Sequence, residues 1–157
     1  MNKIDSFNVN HVLLNPGIYV SRRDELNGFI ITTFDLRMIK PNNGYFMSTT
    51  SIHTLEHLGA TYLRNHNEYK DDIIYFGPMG CRTGFYLIMK GDLQSKDIKG
   101  LIVDMFNYII NFDGVIFGSD EFSCGNYLDL DLNSCKQDAV NYYEVVKEIT
   151  EDLMIYK

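Results

Sequence analysis

The 157-residue chain lacks most of the features that mark a special class of protein. No stretch approaches the roughly twenty apolar residues of a membrane-spanning helix. The first residues, MNKIDSFNVNH, contain no apolar core of signal-peptide length. Together these absences predict a cytoplasmic protein. Positive charge is scarce: 14 Lys and Arg stand against 21 Asp and Glu, a formal net charge of -7. Binding phosphates needs clustered cations, which Arg22, Arg23 and Lys40 hardly supply, so nucleic acid is disfavoured and a small-molecule partner is expected. Cysteine is confined to Cys81, Cys124 and Cys135. An odd number without an export signal argues against a disulfide framework and for reduced thiols used in chemistry or packing. Internal repeats, low-complexity blocks and linkers are also missing. Hydrophobic residues make up 45% and charged residues 22%, the balance of a single globular domain, expected to span residues 1–157.

What is there reads as an α+β chain. Gly17 to Asp24 and Gly28 to Ile39 are rich in Ile, Val, Tyr, Phe and Thr, and the Asn27-Gly28 step between them predicts an antiparallel hairpin. Pro41, Asn42, Asn43 and Gly44 break the pattern. Ser48, Thr49 and Thr50 then offer caps for a helix to about His66. Asp72 to Phe76 and Thr83 to Lys90 read as two more strands, separated by Gly77-Pro78-Met79-Gly80-Cys81, a turn that presents a thiol at its tip. A second helix, capped by Ser95, is predicted to Phe112 from the helical spacing of Ile98, Leu101, Ile102, Met105, Phe106 and Ile109. Gly114 to Asp131 is rich in loop residues, and a last helix is expected from about Ser134 to Ile155. This order suits an antiparallel sheet covered by helices in one domain.

The first predicted helix carries the chemistry. In His53-Thr54-Leu55-Glu56-His57 two imidazoles lie four residues apart and project from one face toward a common point. Stepping 100° per residue puts His53, Glu56, His57, Ala60 and Arg64 on one side, with Leu55, Leu58, Gly59 and Tyr62 on the other. An arbitrary HxxxH pair is more often two satisfied polar residues on a half-exposed helix. Glu56 favours metal, because HxxEH places a carboxylate beside the two ligands. A catalytic ion usually takes a third protein ligand. Cys124, Cys81 and His11 all qualify chemically, and periodicity does not choose among them. Cys135, at the start of the last predicted helix, reads as a packing residue. His66 reads as a solvated histidine favoured by the helix dipole.

Taken together, several segments resemble the LuxS family, the S-ribosylhomocysteine lyases. They are Ser6-Phe7 with His11, Phe34-Asp35-Leu36-Arg37 with Pro41-Asn42, IHTLEH ending at His57, the run from Gly77 to Tyr86 that contains Cys81, and Cys124-Gly125-Asn126-Tyr127. Their joint order and spacing are far more specific than HxxEH, and they span nearly the whole chain. The resemblance implies an α+β sandwich related to the HxxEH metallopeptidases and a homodimer with its active site near the interface. It implies one divalent ion per subunit on His53, His57 and Cys124, natively Fe(II), with Zn(II) or Co(II) able to replace it. Glu56 and Cys81 become the acid and base groups. Ser6, His11 and Arg37 would contact the ribosyl part of the substrate, and Arg64 its homocysteine carboxylate.

The reaction implied is cleavage of S-ribosylhomocysteine to homocysteine and 4,5-dihydroxy-2,3-pentanedione, the precursor of the autoinducer-2 quorum-sensing signal. For that role Cys81 must reach the thiolate form near neutral pH, with Arg37, the ion and the turn's amides as lowering influences. Two positions depart from the family pattern. Tyr75 stands where an aspartate is frequent, three residues before Pro78, and Ser123 precedes Cys124 where Glu or Gln is common. A rival reading is a small HxxEH metallopeptidase, but such enzymes are several times larger and use a downstream glutamate as third ligand. A second rival is a closed structural zinc site with Cys81 as fourth ligand.

Overall fold

A computed structural model describes residues 7–157. Ser6, one of the residues implied to contact substrate, lies outside the described residues. Among the described residues the elements run β1 (Gly17–Leu26), β2 (Phe29–Arg37), α1 (Thr49–Arg64), β3 (Ile73–Pro78), β4 (Gly84–Lys90), α2 (Ser95–Asn111) and α3 (Leu132–Glu148). A short 3-10 turn, Glu151–Leu153, follows α3. The α+β architecture is as expected. The four strands form one antiparallel sheet in the order β1-β2-β4-β3.

Local chemistry accounts for the joints. Asn27 and Gly28 both adopt positive φ, 50° and 82°. That pair of left-handed residues matches the right-handed twist of the strands and closes the β1-β2 hairpin in two residues. Ser48 caps α1 by accepting from the Ser51 amide at 3.1 Å. The cap of α2 is Gln94 rather than Ser95. Gln94 and Asp97 satisfy each other's backbone amides in a capping box, leaving Ser95 as the first helical residue.

Period-2 alternation splits the sheet into two faces. Phe34, Leu36, Phe85, Leu87 and Phe76 point to the helices and are buried in one core with Leu55, Leu58, Ile102, Met105, Phe106 and Tyr142. The opposite face carries Asp35 and Arg37 on β2 and Tyr86 and Ile88 on β4. Gly59 sets how closely α1 approaches β3, since a Cβ there would lie 2.6 Å from the Phe76 ring.

The last helix is shorter than its sequence suggests. It ends at Glu148, because Ile149 and Thr150 turn extended and Lys99 Nζ donates to the Ile149 carbonyl at 2.7 Å. The remaining tail returns to the sheet and brings Tyr156 over Asp35. No helix among the described residues is long and apolar enough to cross a membrane.

Candidate metal centre

Helix α1 splits as its periodicity requires. Leu55, Leu58 and Gly59 are buried, His53, Glu56, His57 and Ala60 are half-buried, and Arg64 is exposed. Full burial of Leu55 and Leu58 contributes about 1.5–3 kcal/mol each. That burial fixes the helix's rotation and thus the direction of both imidazoles. Thr54 ties the same turn to the rest of the chain, its hydroxyl accepting from the Asp131 amide at 2.8 Å.

The segment between α2 and α3 brings up the third group. It is irregular but internally braced: Asp120 accepts from the Phe122 and Ser123 amides at 3.0 Å each, and its carbonyl accepts from the Cys124 amide at 3.1 Å. Gly118, at φ 75°, packs against the His57 ring, where a Cβ would come within 3.3 Å.

His53, His57 and Cys124 present ligand atoms that all lie within 4.8 Å of one another. His53 Nε2 is 3.1 Å from His57 Nε2 and 3.3 Å from Cys124 Sγ. A tetrahedral ion about 2.0 Å from nitrogen and 2.3 Å from sulfur separates two nitrogens by about 3.3 Å and nitrogen from sulfur by about 3.5 Å. The two edges that meet at His53 Nε2 therefore match those of a metal tetrahedron, and the third pair, His57 and Cys124, lies within 4.8 Å. The outward ring nitrogens complete the fit: His53 Nδ1 donates to the Asp129 carbonyl at 3.0 Å and His57 Nδ1 to the Phe117 carbonyl at 2.8 Å. Each leaves Nε2 unprotonated and directed at the shared point, the usual orientation of metal-binding histidines. The Asn126 amide reaches Cys124 Sγ at 3.4 Å.

Cys81 belongs to a second cluster. Its turn is closed by Met79 and Gly84, with Arg82 at φ 59°, and the thiol is exposed at the tip. Beneath it, Arg37 Nη1 donates to Thr83 Oγ1 at 2.6 Å and lies 3.8 Å from Cys81 Sγ, which is itself 3.1 Å from Thr83 Oγ1. Burial pushes the thiol up, but the Thr83 hydrogen bonds and the Arg37 charge outweigh it and hold Cys81 below its ordinary value. His11, Tyr45, Phe46 and Asn42 line a cleft of about 420 Å³ with Cys81 and Thr83.

Thus the structure brings His53, His57 and Cys124 together, and separately His11, Arg37 and Cys81. Cys81 does not join the three-ligand group, which speaks against a closed four-ligand site among the described residues. Arg64 donates to the Ile74 carbonyl at 3.0 Å. Cys135 is fully buried, and desolvation raises its thiol to about 12, as suits a packing residue. His66 is half-buried. Its Nδ1 accepts from the Glu68 and Tyr69 amides, and its ring packs between Tyr62 and Tyr69. Tyr75 folds over Gly77, whose missing side chain makes room for the phenol. Thr83, Asp35 and Tyr156 were not singled out from the sequence. The Asp35-x-Arg37 spacing, which puts both side chains on one strand face, was the available signal for Asp35.

Comparison with known proteins agrees with this geometry. The family described as S-Ribosylhomocysteinase (LuxS) matches residues 4–152. The S-ribosylhomocysteine lyase of Clostridium acetobutylicum is 49% identical over 156 residues, and that of Finegoldia magna 51% over 156, each alignment covering 99% of both chains. The Borreliella burgdorferi lyase is 46% identical over 156 residues, again 99% of both. With near-complete coverage at about half identity, and with the ligand triad and the thiol turn both in place, the chain belongs to the LuxS family of S-ribosylhomocysteinases.

Proposed function

We propose that this chain, as one catalytic domain in the cytoplasm, cleaves S-ribosylhomocysteine to homocysteine and 4,5-dihydroxy-2,3-pentanedione, with His53, His57 and Cys124 holding one divalent ion and Glu56 and Cys81 moving protons. The observation that carries this reading, in a LuxS-family chain, is the convergence of three ligand atoms on the carboxylate-bearing face of α1. The reaction is redox-neutral. The sugar carbonyl migrates along the chain until it stands beside the carbon next to the thioether-bearing carbon, and the thiolate then leaves by β-elimination.

Each migration takes a proton from a carbon beside a carbonyl and returns one to its neighbour. That work calls for two proton-handling groups placed on either side of the sugar. Glu56 supplies a carboxylate from α1, and Cys81 supplies a thiolate held available by Thr83 and Arg37. His53, His57 and Cys124 would hold the ion, which when bound would supply Lewis-acid stabilisation of the negative charge that develops on oxygen as those protons leave. A mixed nitrogen and sulfur set suits Fe(II), Zn(II) and Co(II) alike, and Fe(II), the ion that the family resemblance implies, is the one we propose. We assign His11, Arg37 and Ser6 to the ribosyl part of the substrate and Arg64 to its amino-acid carboxylate, as the family resemblance implies.

We infer a homodimer whose sites take a metal pole from one chain and a thiol pole from the other, a reading supported by Cys81 standing apart from the ligand triad. Exposed apolar side chains accompany both poles: Tyr45 and Phe46 line the thiol cleft, while Phe117, whose carbonyl accepts from His57, and Phe122, two residues before Cys124 and 93% exposed, accompany the triad. Such patches mark contact surfaces. Covering them would also exclude water from the proton transfers.

Thiol release from S-ribosylhomocysteine, followed anaerobically with Fe(II) supplied, tests the activity. No release from metal-loaded protein would sink the lyase reading. Mixing two inactive variants, Cys81→Ala and Cys124→Ala, tests the shared site. Random re-pairing puts about half the chains in mixed dimers with one intact site in two, restoring about a quarter of the activity for the symmetric dimer proposed. Sites complete within one chain would restore none.

A further inference from the structure

The thiol cluster does not end at Arg37. Arg37 Nη2 donates to Asp35 Oδ2 at 2.7 Å, with both side chains almost wholly buried. The same oxygen accepts from Tyr156 Oη at 2.8 Å, from the penultimate residue of the chain. The Tyr156 ring stacks on Tyr19 at 4.8 Å between centroids and 13° between planes, so the phenol has a fixed seat. Tyr19 Oη is engaged elsewhere, donating to the Asn15 carbonyl at 2.9 Å.

As a device for stability this arrangement is poor. Asp35 Oδ1 and Arg37 Nε are buried without a hydrogen-bond partner among the described residues. A buried ion pair with unmet polar atoms costs desolvation that an apolar pair would avoid. What it does is orient. Asp35 holds one guanidinium nitrogen while the other is given to Thr83 and faces the Cys81 sulfur.

We propose that Tyr156 is a positioning residue for the reactive thiol: its hydroxyl, seated on Asp35, fixes the Arg37 guanidinium against Thr83 and Cys81. The inference rests on the role given to Cys81 above and extends that site to the C-terminal tail. Loss of the hydroxyl acts in one direction by two routes. Asp35 keeps less of its charge compensated and draws Arg37 deeper, away from sulfur, and its own uncompensated field disfavours the thiolate. The groups that face this cluster are Arg37 from β2, Thr83 from the thiol turn, Tyr86 from β4, Tyr19 and Ser21 from β1, Tyr142 from α3 and His11 from the N-terminal segment. Burial and the Asp35 charge both raise the Tyr156 phenol, which keeps it a proton donor through the working pH range.

The test is the pH dependence of alkylation at Cys81 in metal-loaded protein, resolved from Cys124 and Cys135 by peptide mass spectrometry. Tyr156→Phe keeps the ring stack and removes only the oxygen. Its midpoint is expected to rise by about half a unit, slowing alkylation below the midpoint roughly threefold. Tyr19→Phe, which loses a hydroxyl from the same stack, is expected to alkylate like wild type. An unchanged midpoint in Tyr156→Phe, or an equal shift in Tyr19→Phe, would overturn the proposal. Should Tyr156→Phe not fold, 3-fluorotyrosine at position 156, a stronger donor, is expected to lower the midpoint, and no change there would overturn it. Because alkylation is read without substrate, it separates the two ideas: a shifted midpoint in a protein that releases no thiol would leave the positioning role standing and the lyase reading failed.

Discussion

The metal pole and the thiol pole are held by different physics. His53 and His57 ride on a helix whose opposite side is anchored by full burial of Leu55 and Leu58, and their third companion comes from an irregular, largely exposed segment. Cys81 stands on a turn, and its environment is set by a buried pair, Arg37 and Asp35, that the sheet and the C-terminal tail enclose. The first pole is held by the burial of one helix side and by loop carbonyls that fix both imidazoles, whereas the second is ordered around a buried ion pair. One is preorganised in direction, the other in charge.

The sharpest way to break this comparison is to remove a ligand. Cys124→Ala leaves two imidazoles and an open edge, and two ligands retain a divalent ion poorly. Metal content after gel filtration should fall well below one ion per chain, and thiol release should vanish. If Cys124→Ala kept its full metal, the triad would not be the site.

Removing the thiol should separate chemistry from metal. Cys81→Ala takes nothing from the triad, so metal content stays at the wild-type level. Turnover should drop by about 10²–10⁴-fold, the usual worth of a positioned acid or base. Glu56→Gln is expected to behave in the same way. Metal loss in Cys81→Ala would mean that the thiol is a ligand after all.

A milder change sharpens the electrostatic half of the contrast. Thr83→Val keeps the shape but removes both the hydroxyl 3.1 Å from sulfur and the acceptor 2.6 Å from Arg37. Burial, which raises the thiol, then acts with less opposition, so the Cys81 midpoint must go up. With fewer thiolates below the midpoint, the acid limb of the pH-rate profile should shift upward by about half a unit to one unit, with activity regained at higher pH. A downward shift would mean that Thr83 opposes the thiolate.

The same contrast explains what could be read from the chain itself. HxxEH is local, so α1, its amphipathic split and two ligands were visible from spacing alone. The hairpin at Asn27-Gly28 and the thiol turn were equally local. Cys124 was reachable only through resemblance, because an irregular segment has no period from which to infer direction. The overlong last helix shows the limit most clearly. Residues 149–155 are compatible with helix, yet the chain leaves it because Lys99, 50 residues earlier, claims the Ile149 carbonyl and Tyr156 reaches Asp35 across 121 residues. No nearby residue signals either contact.

The smallest expected effect concerns the seat of α1. Gly59→Ala should gain up to about 1 kcal/mol from helix propensity. Against that, the new Cβ would stand 2.6 Å from the Phe76 ring, inside any tolerable contact. Phe76 has little room to retreat, since it is buried and stacks on Phe85 at 4.8 Å with 5° between the planes. Overpacking of that kind costs about 1–3 kcal/mol, so the clash wins by a small margin. The variant should be destabilised by about 1 kcal/mol, a Tm loss of about 2–4 °C in a domain of this size. The helix would be pushed away from β3 while its ligand face, which points elsewhere, keeps both imidazoles. Calorimetry with metal analysis checks the pair: a lower Tm with the ion retained is the expected result, and a rise in Tm would show that the helix has slack against the sheet.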